Sequence, residues 1–147
     1  MKALALVLML ASGTAGQSVA PSVGSWTGQF EGRTFLRLEL KSVNGSITGG
    51  MSIGNIEVDK QGALRSAKEA PRDLTPIVDV VDHGSSVGFA RKDGDDTDHF
   101  ELRLIDASHA ELRFLLSDED RQALAADGVP APKPIALTKQ SPAGIPR

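Results

Sequence analysis

Hydrophobic and polar residues alternate along most of the middle of this chain, which is the period of a half-buried β-strand. From Thr34 to Lys41, Leu36, Leu38 and Leu40 fall on one face, with Arg37, Glu39 and Lys41 on the other. Before it, residues 25–30 place Trp26, Gly28 and Phe30 on one side. Asn44-Gly45 then predicts a tight hairpin, because both residues tolerate positive φ. Ile47, Gly49, Met51 and Ile53 continue the inner face from Ser46 to Ile53. Gly54-Asn55 turns the chain into a short strand at Ile56 and Val58.

The rhythm is lost from Ala63 to Leu74, where a short turn of helix broken by Pro71 is expected. Strands resume at Ile77–Val81 and Val87–Lys92, joined by His83-Gly84-Ser85-Ser86. Thr97–Asp106 turns Phe100, Leu102 and Leu104 inward. After Asp106-Ala107-Ser108, the residues Ala110, Leu112, Phe114 and Leu116 line one face. One helix is predicted from Ser117 to Gly128. Ser117 is a good N-cap, Asp118 to Asp120 suit the positive end of the dipole, and Asp120 takes the capping-box position. Gly128 and the prolines at 130, 132 and 134 end it. Ile135–Thr138 reads as the closing strand, and residues 140–147 as a frayed tail.

This pattern specifies an all-β domain: an antiparallel up-and-down barrel of about eight strands, with one short helix before the last strand. A two-layer sandwich is the competing arrangement. Short hairpins and one continuous inward face favour the barrel, and closure removes exposed strand edges.

Residues 24–28 (Gly-Ser-Trp-Thr-Gly), the leucine strand after them, and residues 44–49 (Asn-Gly-Ser-Ile-Thr-Gly) together resemble the opening of lipocalin-like and avidin-like barrels. In lipocalins a Gly-x-Trp near the first strand closes the barrel floor with its indole. In avidins a similar Trp-Thr start leads into a glycine-containing hairpin. The resemblance covers about the first quarter of the mature chain and implies a small calycin-type barrel. Avidin-type biotin sites use several Trp and a Tyr. This chain has Trp26 alone and no Tyr, so biotin binding is not implied.

At 147 residues the chain fits one domain, and 40% hydrophobic residues against 24% charged place it among globular proteins. The N-terminus has the order of an export signal: Lys2, an apolar run from Ala3 to Ala11, then small residues. Residues 1–20 are therefore expected to be a signal peptide, with cleavage after Ala15 or Ala20, and residues 21–139 the barrel domain. The run is too short to span a bilayer. The expected location is periplasmic or secreted. With no cysteine, the domain has no disulfide, thiolate nucleophile or cysteine metal ligand. A net charge of −3 and only six aromatic rings argue against a nucleic-acid partner. Arg37, Glu39, Glu101 and Arg103 at outward positions argue against membrane insertion.

No catalytic or metal signature emerges, and no cofactor is expected. The acidic run from Asp93 to Asp98 has no Gly at the sixth position and no Glu at the twelfth, which is Leu104. It therefore reads as a solvated turn rather than a calcium loop. Two functions remain open. The first is a non-catalytic binding module, for a small apolar ligand held inside the barrel or for an exported partner protein gripped as an inhibitor grips its target. Trp26, Leu38, Met51, Phe89, Phe100 and Phe114 are the interior ligand-binding candidates. The second is an enzyme with a rim site at His83 and His109, the two histidines that the strand order can bring to one barrel end.

Overall fold

The computed structural model describes residues 20–141. The expected signal segment lies outside them, apart from Ala20. Ten strands form: β1 (Gly24–Phe30), β2 (Arg33–Val43), β3 (Ser46–Ile53), β4 (Ile56–Val58), β5 (Leu64–Ala67), β6 (Thr75–Asp82), β7 (Ser86–Asp93), β8 (Asp96–Leu104), β9 (His109–Leu115) and β10 (Ile135–Lys139). One helix, α1 (Asp118–Ala126), precedes the last strand. Eight strands close an antiparallel barrel in the order β1-β10-β9-β8-β7-β6-β3-β2, with β4 and β5 paired as a separate ribbon. The chain is thus an all-β up-and-down barrel with a single ribbon inserted between β3 and β6.

The alternation carries through to the register. Leu38 sits between Trp26 on β1 and Met51 on β3, and Phe100 between Phe89 on β7 and Phe114 on β9. The β2–β3 hairpin turns on Asn44 (φ 52°) and Gly45 (φ 82°), the two positive φ values that a two-residue turn of matching twist needs. Helix α1 is held at both ends. Ser117 and Asp120 form the reciprocal capping box, while Val129 N–H reaches Leu124 O and Gly128 N–H reaches Ala125 O. It buries none of its residues. Its stability therefore rests on its caps rather than on packing.

Two features depart from the sequence reading. First, residues 63–74 hold no helical turn: Leu64–Ala67 is β5, paired with Ile56–Val58. Asp59 makes this hairpin by accepting the N–H groups of Gln61 and Ala63 at 2.8 and 3.0 Å. The ribbon supplies Ile56, Leu64 and Ala67 to the core. Second, Phe35 is buried although strict alternation turns it outward. A bulge between Gly28 and Gln29 shifts the β1–β2 register. Phe35 and Leu36 consequently both enter the core. Gln140, assigned above to the frayed tail, is tied to β1 through its N–H to Ser25 O (2.7 Å) and its amide to Thr27 Oγ1 (2.8 Å).

The ladder is uneven. β2 pairs with β3 over eight residue pairs, and β7 with β8 likewise. By contrast, β1 pairs with β10 only at Trp26↔Lys139 and Thr27↔Thr138, and β3 with β6 only at Gly50↔Pro76 and Met51↔Thr75.

Candidate functional site

Five of the six interior candidates lie in one core cluster: Trp26, Leu38 and Met51 at 0% exposure, Phe100 at 1% and Phe89 at 3%. Phe114 packs against that cluster and is partly exposed. Phe89 and Phe100 stack with centroids 5.5 Å apart, and Phe114 closes on Phe100 at 5.4 Å. Side chains at zero exposure border no water-sized space. The barrel axis is therefore filled along its length by aliphatic and aromatic groups, as small barrels can be.

Trp26 seals one end. Its indole N–H donates to Ser22 O at 2.9 Å. Lys139 lies over the ring, Nζ 5.2 Å from the centroid, and also donates to Pro21 O at 3.0 Å. Residues 20–23 thus cross the barrel floor as a strap, pinned by one aromatic ring and one ammonium.

The same end carries the β6–β7 and β8–β9 turns, which are joined by Leu104 N–H to Ser85 O at 2.9 Å. His83 and His109 accordingly share this rim, whereas His99 stands towards the other end, opposite Ala90 and Leu115. His109 Nδ1 lies 2.9 Å from Asp106 Oδ1, and Ser108 Oγ lies 3.4 Å from that same nitrogen. In a serine–histidine–aspartate relay the hydroxyl must meet Nε2, with the carboxylate on Nδ1. Here both partners converge on Nδ1, so the trio does not form that relay. The Asp106 carboxyl is held below its ordinary value by the Ser108 N–H and then by His109.

At the opposite end the acidic hairpin pairs Asp93 with Asp96, and both are exposed. Arg91 stands beside it, on the inner-face register of Val87 and Phe89. The sequence reading passed over this residue. Its parity with those two was the available signal. Its side chain is mostly buried, 3.8 Å from Asp98 and 3.9 Å from Asp93, and its Nε has no hydrogen-bond partner among the described residues.

Desolvation raises the Asp98 carboxyl above its ordinary 3.8. Arg91 opposes that shift, while Asp93, Asp96 and Asp120 reinforce it. The folded state thus holds this proton more tightly than the unfolded chain does. Its contribution to stability is present at low pH and declines as pH rises from about 3.8 through the raised value. Asp98→Asn should remove that decline and leave the protein at least as stable as wild type at neutral pH. Urea unfolding across a pH series checks this, and parallel pH curves for the two proteins would contradict it.

The clefts lie on the outside. One of about 360 Å³ separates the β4–β5 ribbon from the end of α1, between Ile56, Val58, Leu124, Val129, Pro130 and Pro132. A second, about 300 Å³, follows the β3–β6 seam. Two more, about 280 and 310 Å³, flank Gln29 and Ala136 on the β1–β10 seam. None of these four is lined by the six interior candidates.

Fold and site together define a small closed β-barrel with a filled interior and outward-facing clefts. Neither a protein-family model, nor a curated protein, nor a solved structure matches the chain.

Proposed function

We propose that this chain is an exported, non-catalytic binding module that engages a partner protein with the outside of its barrel. The observation that carries the reading is the filled interior. Trp26, Leu38 and Met51 are at 0% exposure, so an apolar ligand could enter only by displacing core side chains. That favours a protein partner over an interior ligand. The lipocalin-like or avidin-like reading fits the eight-stranded order and the indole seated at the floor. Export fits the charged, apolar and small-residue order of the first twenty residues.

The test pairs two measurements on the mature protein. Cross-linking in the exported fraction of the native host should capture one defined protein, with cross-links on outer-face residues. Titration with cis-parinaric acid, an apolar fluorescent probe, should give no saturable signal. A saturable signal that quenches Trp26 would replace this reading with the interior-ligand form. Hydrolytic activity abolished by both His83→Ala and His109→Ala would replace it with the rim enzyme.

A further inference from the structure

The β3–β6 seam is where the barrel leaves main chain unpaired. β3 is bonded to β2 from Ser46 to Ile53, but to β6 only at Gly50 and Met51. β6 is bonded to β7 from Ile77 to Asp82. Residues 46–49 of β3 and 77–82 of β6 therefore have one laddered flank each, and their other flanks face one another. Two local causes separate them. Pro76 has no N–H with which to continue the ladder. Asp79 (φ 52°) sits in a bulge between Val78 and Val81 that turns β6 aside. Beneath the seam, Ile47 and Val80 pack against the core and keep it sealed. Above it runs the cleft of about 300 Å³, floored by Gly49 and Gly50 and walled by Leu74 and Pro76.

We infer that this seam docks a short extended segment of the partner as an added strand between β3 and β6. The inference rests on the partner-protein reading above and locates its contact. The free edges offer backbone donors and acceptors, the groups that recognise another extended main chain. The seam is a wedge, closed at Gly50↔Pro76 and open towards the β2–β3 hairpin. A single chain fits such a space, whereas a strand already bonded within a second barrel does not. At about 3.3 Å per residue, the β3 edge accommodates roughly four residues. Val43 and Val81, each about half exposed (50% and 52%), stand at the open end for aliphatic side chains. β6 carries Asp79 and Asp82 and no basic residue, and β3 carries no charge. Neither aspartate has a basic partner among the described residues. The complementary segment is therefore extended and aliphatic, with a Lys or Arg.

The probe is a random heptapeptide phage library panned on the mature protein, with enriched peptides then made synthetically. They should alternate aliphatic positions and carry a basic residue. N-methylation at one phase of alternate residues should weaken binding about tenfold, the loss of a backbone hydrogen bond. Methylation at the other phase should have little effect. Asp79→Asn, which keeps a residue tolerant of positive φ, and Val81→Lys, at an exposed position, should each weaken binding without altering the fold. Hydrogen exchange should show new protection at residues 46–49 and 77–82. Protection elsewhere, indifference to N-methylation, or a library with no binder would overturn the inference. A host protein cross-linked at a different outer face would also overturn it while leaving the partner reading intact. Peptides bound at the seam with no host partner captured would do the reverse.

Discussion

Truncating Trp26 to Ala should cost about 3–5 kcal/mol, a large share of the stability of a domain this size. The indole fills the barrel floor at 0% exposure. Its N–H satisfies Ser22 O, and its face supports Lys139, which itself holds Pro21 O. Removing the ring leaves a cavity and unfastens the strap of residues 20–23. Trp26→Phe keeps most of the volume but leaves the Ser22 carbonyl without its donor, so a loss of about 1–3 kcal/mol is expected. Urea unfolding measures both. In the wild type, iodide should quench Trp26 poorly. Ready quenching together with near-wild-type stability of Trp26→Ala would show that the indole stands in an open pocket.

Gly49→Ala should be of comparable severity for the opposite reason. A methyl group on Gly49 would be driven into the backbone carbonyl of Glu39 on β2, which has no side-chain freedom with which to yield. Gly50 beside it has Leu74 Cβ 2.9 Å from where its own Cβ would stand. These glycines let β3 lie close to β2 on one side and to the start of β6 on the other. Ordinary overpacking costs about 1–3 kcal/mol. A clash with backbone should exceed about 3 kcal/mol and open the β2–β3 pairing. The check is the melting temperature together with hydrogen exchange across Leu38–Lys41. A variant that melts within a few degrees of wild type would mean that β2 and β3 can separate locally at little cost.

The close approach at Gly49-Gly50 was legible beforehand, since a glycine pair inside an alternating strand implies neighbouring backbone in the way. The same is true of the capping box at Ser117 and the turn at Asn44-Gly45. Each is specified by residues within four positions of one another. The candidate site was legible only as a composition of interior residues. Periodicity names which side chains point inward, and it correctly grouped Trp26, Leu38, Met51, Phe89 and Phe100. It is silent on whether the space they enclose is open or full, because that depends on how closely opposite walls approach.

The amino-acid pattern by itself determined the strands, their inner faces, the helix before the last strand and the closed all-β class. Those follow from local periodicity and turn chemistry. Only the tertiary structure decided the rest. It turned Phe35 inward, because a bulge in one strand pair resets alternation and is visible only against the partner strand. It made Leu64–Ala67 a strand, because a weakly patterned segment takes the conformation its neighbours can pair with. It set Arg91 among the acids at one rim and left the β3–β6 ladder at two pairs, because the way a barrel closes is a sum of twists and bulges over eight strands that no single segment encodes.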